Sequence, residues 1–308
     1  MKTVSIIGGG YTAVINADRG ANCISLRNDR YRASLLREPD YGDEKANPYL
    51  YGMPILFPVN RISGGKFDFE GRTYVFPINE PSTDCALHGE LHRAPFSVIE
   101  QTENSVTLRY TATESSPYLS FPHSFSVTIR YSLSEGGLTH STALTNHSKL
   151  NMPYFLGFHT TFNLPFSELS EKRDLRARVG LSLEYERNMK NYLPTGVCPS
   201  PDRVTEQLSS GKFVPCGEHI SRHYKADASG IMSITDVKNG ISLIYESCAE
   251  LGYRLIYNGD GTEYICMEPQ TCIANCQNSP FPREEVGFSY LAPGETKVFY
   301  SRIFIERM

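Results

Sequence analysis

The sequence predicts an all-β protein, a large antiparallel β-sandwich with few short helices. Short runs alternate apolar and polar residues with period two, which is typical of strands buried on one face. Turn residues such as glycine, asparagine and proline separate these runs. The chain has 308 residues, enough to bury a sizeable core, and it shows no repeat, low-complexity tract or linker. We therefore predict a single domain over residues 1–308.

The elements can be predicted in chain order. Turns are predicted at Gly64-Gly65, Glu70-Gly71, Glu135-Gly136-Gly137, Lys238-Asn239-Gly240, Asn258-Gly259-Asp260-Gly261 and Pro293-Gly294. Helix signals are few, and the best covers Asp202 to Leu208, with Pro201 before it and Gly211 after it. The clearest strands are residues 74–77, 105–110, 125–131, 241–245 and 297–303.

The N-terminus has the glycine spacing of a dinucleotide-binding turn. A short apolar strand, 4–7, is followed by Gly8, Gly10 and Ala13. That fingerprint requires an amphipathic helix after the glycines. Residues 12–17 and 19–21 instead have the pattern of a strand and a turn, so the sequence predicts no nucleotide cofactor.

Composition excludes several classes of partner. The formal net charge is −4 and the pI about 6.1, which favours neither nucleic acid nor an anionic membrane. No apolar stretch approaches the roughly 20 residues of a membrane span. The N-terminal apolar segment is too short for a secretory signal. With no such leader, the eight cysteines are interpreted as reduced thiols of a cytoplasmic protein.

Glu268 is the first candidate catalytic residue. It follows the apolar run 264–267, so the strand is expected to carry it to the edge of a packed layer. Partial burial raises the pKa of a carboxyl group and suits it to act as a general base near neutral pH. Pro269 has no backbone donor, so we expect the strand to end or bulge there. A solvated strand end is the structural alternative.

His88, His159 and Arg61 are further candidates. Histidine titrates near neutral pH, and both histidines lie in apolar or glycine-rich segments, 86–92 and 153–163. Arg61 follows the apolar segment 54–59, and a half-buried guanidinium needs a partner such as a polyhydroxyl ligand. The alternatives are core histidines bonded to the backbone and an arginine paired with a carboxylate.

Metal ligation is not predicted. His88 and His92 are four residues apart, but Gly89 makes a helix there unlikely to form, so they need not share a face. Cys266, Cys272 and Cys276 lack the paired two-residue spacing of zinc ribbons.

Together these segments resemble the aldose 1-epimerase (galactose mutarotase-like) family. The similar segments, in chain order, are Gly20-Ala21, Gly52 to Pro58 with Asn60-Arg61-Ile62, Leu87-His88-Gly89, Pro153 to Asn163, Leu193 to Gly196, Glu268 with Gln270, Asn275 and Asn278, and Pro293-Gly294-Glu295. The resemblance implies a galactose mutarotase-like β-sandwich whose open concave face binds a sugar.

The resemblance also implies roles. Glu268 would be the base, His159 the acid and His88 a second hydrogen-bonding group beside the ring. Arg61, with Asn60 and Gln270, would bind the substrate. The activity would be aldose 1-epimerase, an isomerase that needs no cofactor and no metal, in a monomer or homodimer.

The chemistry of anomer exchange agrees with these roles. A base removes the proton of the C1 hydroxyl and an acid protonates the ring oxygen, so the ring opens, rotates about C1–C2 and closes on the other face. We expect the base and the acid about a pyranose ring's width apart. We also expect His159 to begin protonated beside a carboxylate.

Three alternatives stay open. A glycoside hydrolase needs a second carboxylate, for which Asp84 and Glu90 are the candidates. A non-catalytic sugar-binding protein needs no acid–base pair. A hexose-6-phosphate 1-epimerase needs basic residues, for which Arg93, Arg222 and Arg254 are the candidates. Family members that act on free hexoses often carry an aspartate between the second histidine and the glutamate, and residues 220–227 offer no clear counterpart.

Overall fold

The structure, a computed structural model, describes residues 2–39 and 47–308. Met1 and residues 40–46 of the predicted domain lie outside the described residues.

One α-helix, α1, spans Arg203–Ser210 of the described chain. The short 3-10 helices are Asp29–Tyr31, Pro48–Leu50, Pro81–Thr83, Leu91–Arg93, Lys172–Asp174, Cys276–Asn278 and Arg283–Glu285. The strands are β1 Thr3–Gly8, β2 Tyr11–Asn16, β3 Asn22–Asn28, β4 Ala33–Ser34, β5 Ile55–Leu56, β6 Arg61–Ser63, β7 Lys66–Phe69, β8 Arg72–Val75, β9 Cys85–Leu87, β10 Ser97–Gln101, β11 Ser105–Ala112, β12 Phe125–Ser134, β13 Gly137–Asn146, β14 Met152–Tyr154, β15 Gly157–Phe158, β16 Thr161–Asn163, β17 Leu175–Val179, β18 Leu181–Tyr185, β19 Ser221–Ala226, β20 Ile231–Asp236, β21 Ile241–Ser247, β22 Tyr253–Tyr257, β23 Tyr264–Gln270, β24 Ser289–Leu291 and β25 Thr296–Arg307.

Two large antiparallel sheets form the sandwich and confirm the predicted fold class. One has eight strands in the order β10-β11-β12-β13-β25-β21-β20-β17. The other has seven, in the order β18-β19-β22-β23-β15-β5, with β16 also paired to β23. A four-stranded sheet, β1-β2-β3-β4, and three two-stranded sheets complete the strand pairing of the described residues.

The hydrophobic core lies between the two large sheets. The rings of His140 on β13 and Phe158 on β15 meet edge to face at 4.6 Å. Phe162 on β16 contacts Tyr245 on β21 at 5.6 Å, and the Tyr245 hydroxyl lies 3.1 Å from Thr160 Oγ1. These pairs show that one face of the seven-stranded sheet is covered by the eight-stranded sheet. Its other face is free to carry a site.

Most predicted elements lie where the sequence placed them. Four of the five strands fall within β11, β12, β21 and β25, whereas β8 ends at Val75, before Pro77 removes a backbone donor. Asp202 caps α1 by accepting from Thr205 N, and Gly211 closes it in the left-handed conformation. The glycine-rich N-terminus is the β1–β2 hairpin rather than a nucleotide-binding turn.

The prediction that the strand ends or bulges at Pro269 is wrong. Strand β23 continues to Gln270 in unbroken register with β22, where Arg254 pairs with Pro269. The backbone amides of Met267 and Thr271 donate toward the other neighbour, to the carbonyls of Thr160 and Leu156. The nitrogen of Pro269 has the same parity and lies opposite Phe158, the last residue of β15, so its missing donor faces that side and leaves the pairing with β22 intact.

The same register sets the position of the candidate catalytic pair. Gly157 pairs with Gln270, and Thr161 pairs with Cys266. These two pairs belong to one continuous antiparallel register. Residues 158–160 therefore lie opposite residues 269–267, in that order. His159 therefore lies directly opposite Glu268, with both side chains on the face of the sheet that points away from the core.

Within the described ranges, no helix has the length and apolar character needed to cross a lipid bilayer.

Candidate active site

A cleft of about 350 Å³ opens on the outer face of the seven-stranded sheet. Strand alternation decides which side chains reach it: Glu268 and Leu255 face the cleft, while their neighbours Met267 and Arg254 face the core. The lining residues are Asn47, Tyr49, Leu50, Asn60, Arg61, Glu80, Leu87, His88, His159, Arg187, Tyr192, His219, Ser221, Leu255, Tyr257 and Glu268.

Glu268 and His159 form the centre of the cleft. Glu268 Oε1 lies 3.3 Å from His159 Nε2, and both side chains are buried. Glu268 Oε1 makes no hydrogen bond with a described residue. The two atoms that could exchange protons with a ligand therefore lie side by side in the cleft. This separation differs from the expected ring's width between base and acid.

Burial sets the protonation of this pair. It raises the pKa of the Glu268 carboxyl to about 8, although the nearby charge of Arg187 acts in the opposite direction. It lowers the pKa of His159 to about 3. Between these values the pair holds one proton, and burial favours its position on Glu268, because both groups are then neutral. The expectation that His159 starts out protonated is therefore wrong for the ligand-free protein.

Two side-chain amides hold Glu268 through a chain of hydrogen bonds. Gln270 Nε2 donates to Glu268 Oε2 at 3.1 Å, and Asn60 Nδ2 donates to Gln270 Oε1 at 3.4 Å. Gln270 is fully buried and is not among the residues that line the cleft, whereas Asn60 is. This chain fixes the plane of the carboxyl group, so that Oε1 rather than Oε2 faces His159.

His88 is held in one tautomer by the backbone. Its Nδ1 accepts from Asn60 N at 3.2 Å, so its ring proton is on Nε2. Burial, followed by the charge of His159, holds the pKa of His88 well below its usual range. Its backbone is in the left-handed region at φ 59°, which directs the ring toward His159, 5.6 Å away between ring centroids. His88 can therefore donate one hydrogen bond to a ligand.

Tyr49 was not identified from the sequence. Its ring packs against His88 at 4.6 Å and against His92 at 4.8 Å, and it stacks near His159 at 6.1 Å. It lies in the 3-10 helix Pro48–Leu50, which carries no periodicity that would single it out. The tyrosine provides an aromatic wall over the histidines, and His92 is buried behind it without lining the cleft.

Arg61 lines the cleft and is also paired. Its Nε and Nη2 donate to the two oxygens of Glu80 at 2.6 and 2.7 Å. Its guanidinium also lies 4.5 Å from the ring centre of Tyr192. Glu80 therefore occupies one edge of the guanidinium, and only Nη1 and the second hydrogen of Nη2 remain for a ligand. The pairing with a carboxylate that was considered for Arg61 is therefore present, and a role in ligand binding stays a prediction.

Arg187 is a second arginine in the cleft, and the sequence did not reveal it. It follows β18 and is buried, with Nη2 donating to Ser221 Oγ at 2.8 Å. No described carboxylate pairs with it. Arg61 was singled out because it follows an apolar segment, and the run before Arg187, β18, is short, alternating and partly exposed.

The residues proposed for two alternative activities lie elsewhere. Neither Asp84 nor Glu90 lines the cleft, and Glu80, the other carboxylate that does, is paired with Arg61. Arg93 is exposed beside Glu90, Arg222 pairs with Glu184 and Asp202, and Arg254 is buried between the sheets, donating to carbonyls of Leu251 and Tyr253. Of residues 220–227, only Ser221 lines the cleft.

One group of metal-ligand types is present among the described residues. His159, Cys266 and Glu268 place one potential ligand atom each within 4.8 Å of one another. Burial raises the pKa of the Cys266 thiol well above its usual range, helped by the Glu268 charge. The thiol lies 3.3 Å from the Thr161 hydroxyl. A ligating thiol has to lose its proton, so this raised pKa opposes metal binding by the set.

Comparisons with known proteins agree with this fold. The sequence profile of the aldose 1-epimerase family matches residues 2–303. A galactose mutarotase-like protein from Clostridium acetobutylicum superposes with a TM-score of 0.92 and 31% identity, over 99% of this chain and 95% of that one. A putative aldose 1-epimerase from Escherichia coli superposes with a TM-score of 0.81 and 19% identity, over 100% and 99%. The uncharacterised protein YihR of Escherichia coli is 26% identical over 282 residues, 90% of this chain and 86% of that protein.

Proposed function

The chain belongs to the aldose 1-epimerase family, and we propose that it is a mutarotase that interconverts the α and β anomers of a hexose without a cofactor. The observation that carries the proposal is the 3.3 Å contact between Glu268 Oε1 and His159 Nε2 in an open cleft. A carboxyl and an imidazole that share one proton are sufficient for acid–base ring opening.

The 3.3 Å separation between Glu268 Oε1 and His159 Nε2 fits the reaction better than the expected separation of about a pyranose ring's width. The proton to be removed is on the C1 hydroxyl, and the proton to be gained goes to the ring oxygen. Both oxygens are bonded to the same carbon, C1. A base and an acid that are neighbours on adjacent strands can therefore each reach one of them without moving.

In the proposed cycle, the net effect of ring opening is to move the pair's single proton from His159 to Glu268. The Glu268 carboxylate takes the proton of the C1 hydroxyl, the electron pair of that O–H bond becomes the second bond of the aldehyde carbonyl, and the bond from C1 to the ring oxygen breaks with its electron pair on the ring oxygen. The ring oxygen takes the proton of the His159 imidazolium. The products are an open-chain aldehyde, a protonated Glu268 and a neutral His159, and closure after rotation about C1–C2 reverses each step.

Substrate binding has to prepare this pair. The ligand-free state, with the proton on Glu268, corresponds to the proton distribution after ring opening. Moving the proton across the 3.3 Å contact creates a carboxylate and an imidazolium, which hydrogen bonds from sugar hydroxyls stabilise. The sugar hydroxyls therefore supply part of the hydrogen bonding that stabilises the charged form of the pair.

The remaining predicted residues bind or orient. His88 donates from Nε2 to a ring-side oxygen, and the free edge of Arg61 donates to sugar hydroxyls. Asn60 contributes its side chain at the cleft wall, and Gln270 orients Glu268 rather than contacting the sugar. A monomeric or homodimeric state and a cytoplasmic location stay predictions.

The test follows anomer exchange by polarimetry and by magnetisation-transfer NMR on freshly dissolved α-glucose and α-galactose. We expect Glu268→Gln to lose about 100-fold or more in turnover while it still binds sugar, because the amide is nearly isosteric but cannot take a proton. Glu263→Gln is the matched control, since Glu263 is exposed and pairs with Lys172. Near-native exchange by Glu268→Gln would remove Glu268 from the mechanism. A wild-type protein that binds sugar without accelerating exchange would be a binding protein instead.

A further inference from the structure

Arg187 differs from the other deeply buried arginine in how its charge is compensated. Arg254 is fully buried and donates to the carbonyls of Leu251 and Tyr253 at the core. Arg187 donates one hydrogen bond, from Nη2 to the Ser221 hydroxyl. It has no ion pair and no other hydrogen bond with a described residue, although it is only 8% exposed.

Arg187 has two neutral neighbours, the Ser221 hydroxyl and the Tyr192 ring at 5.8 Å, and a buried cation with so few partners carries an electrostatic cost. Removing a charge from water costs several kcal/mol unless an opposite charge or several hydrogen bonds replace the solvent. Burial lowers the pKa of Arg187 to about 10, and the positive charge of Arg61 contributes to this. Glu268, Tyr192 and Glu184 act in the opposite direction, but none of them forms an ion pair or a hydrogen bond with the guanidinium, so no described group compensates the Arg187 charge by direct contact.

The other charges in the cleft balance one another. Arg61 is neutralised by Glu80 through two hydrogen bonds. The Glu268–His159 pair is neutral as a unit while it holds one proton. Among the described arginine and carboxylate side chains that line the cleft, Arg187 is thus the one without an ion pair or a shared proton.

Ser221 completes the local set of donors. Its oxygen accepts from Arg187 Nη2, so its own hydroxyl hydrogen is free to donate. The Arg187 Nε and Nη1 hydrogens are free of described partners as well. An oxyanion with several acceptor oxygens matches such a convergent group of donors, whereas a single sugar hydroxyl uses only part of it.

The position of Ser221 fits one end of a sugar. Ser221 pairs with Tyr257 on β22, which pairs with Cys266 on β23. Two strand spacings therefore separate Ser221 from the strand that carries Glu268, roughly 10 Å between Cα positions. A sugar with C1 at Glu268 would point a substituent from the opposite side of its ring toward Ser221 and Arg187.

We propose that Arg187 and Ser221 form a subsite for an anionic substituent of the sugar, so that the preferred substrate is a hexose derivative bearing a phosphate, sulfate or carboxylate group away from C1. This inference rests on the proposed mutarotase function. It assigns the specificity of the site to one buried guanidinium that the family comparison does not identify.

The first experiment compares substrates with the wild-type protein. Anomer exchange is measured by magnetisation-transfer NMR for glucose, glucose 6-phosphate, glucose 6-sulfate and glucuronate. We expect kcat/KM for at least one anionic sugar to exceed that for glucose by about tenfold or more, the usual effect of hydrogen bonds to a charged group. The sugar with the highest ratio identifies the anion. A ratio near or below one for all three overturns the proposal.

The second experiment tests the residue. Arg187→Met is expected to lower the ratio of anionic to neutral kcat/KM by about tenfold or more, and Arg187→Lys to retain part of it. Lys225→Met is the matched control, because Lys225 is an exposed cation on β19 outside the cleft, and its ratio should equal that of the wild type. An unchanged ratio in Arg187→Met overturns the assignment. If that variant does not fold, competitive inhibition of wild-type glucose exchange by inorganic phosphate replaces it, and absence of inhibition counts against the subsite.

Binding separates this proposal from the mutarotase function. Calorimetric titration of the wild-type protein with glucose and with glucose 6-phosphate, glucose 6-sulfate and glucuronate requires no turnover. If no sugar undergoes accelerated exchange, the mutarotase function fails, but at least tenfold tighter binding of an anionic sugar would still support the subsite. Equal affinity for all four ligands would refute the subsite even if glucose exchange is fast.

Discussion

Glu268→Gln is expected to stabilise the folded protein by an amount that grows with pH. Burial raises the pKa of the Glu268 carboxyl from the ordinary 4.5 to about 8. Between those values the unfolded chain has lost this proton while the folded protein keeps it. The wild type therefore loses about 1.4 kcal/mol of unfolding free energy for each pH unit in that window, and stability falls as pH rises. Glutamine binds no proton in either state, so the unfolding free energy of the variant does not fall with pH for this reason.

The magnitude follows from the width of the window. From about pH 5 to about pH 7.5 the unfolding free energy of the variant, relative to the wild type, should rise by about 3 kcal/mol. Urea denaturation at several pH values within this range measures it directly. Glu263→Gln is again the control, and its difference from the wild type should be nearly independent of pH.

This expectation depends on the number of protons in the pair rather than on which member holds them. A proton that moves from Glu268 to His159 stays within the folded protein and leaves the linkage unchanged. A stability difference that is flat with pH would refute the reasoning, because it would mean that the folded pair has lost its proton already near pH 5.

Four further outcomes follow from the site. Exchange activity should fall above about pH 8, where Glu268 and His159 lose their shared proton, and a pH profile of kcat that stays flat to pH 9.5 would contradict this. His159→Asn should lower kcat far more than it raises KM, whereas His88→Asn should affect both, and steady-state kinetics that show small, equal effects would indicate core histidines instead. Arg61→Lys should cost about 1–3 kcal/mol in kcat/KM and should also lower the melting temperature, because it breaks the two bonds to Glu80; an unchanged melting temperature would leave binding as its only role. Exhaustive chelation should leave activity unchanged, and restoration of a chelator-sensitive activity by zinc would contradict the metal-free mechanism.

The sequence was sufficient for the fold because the evidence for it is local. Alternation identifies β12 and β25 whatever lies next to them, and capping residues bound α1. Pro269 shows the limit of local evidence. A proline is compatible with a strand paired on both sides if its nitrogen points toward a neighbouring strand at a position where no backbone hydrogen bond is formed. The sequence does not specify which neighbouring strand that is.

The site was predicted in part for the same reason. Glu268 and His159 follow apolar runs that mark them, and the resemblance set their roles. Their contact, their shared proton and the tautomer of His88 depend on strand register and on backbone groups far away in the chain. Arg187 has no such mark, because its burial comes from Tyr192 and Ser221, which only the fold brings together.

The placement of His159 opposite Glu268 makes the proposed acid–base pair a product of sheet formation. A slip of one residue in this pairing would turn one member of the pair to the core face. A chain that has closed the sheet correctly therefore has its proton-transfer geometry already in place. Sugar binding then spends no free energy on bringing acid and base together, and loops around the cleft can diverge to suit new substrates while the reaction stays the same.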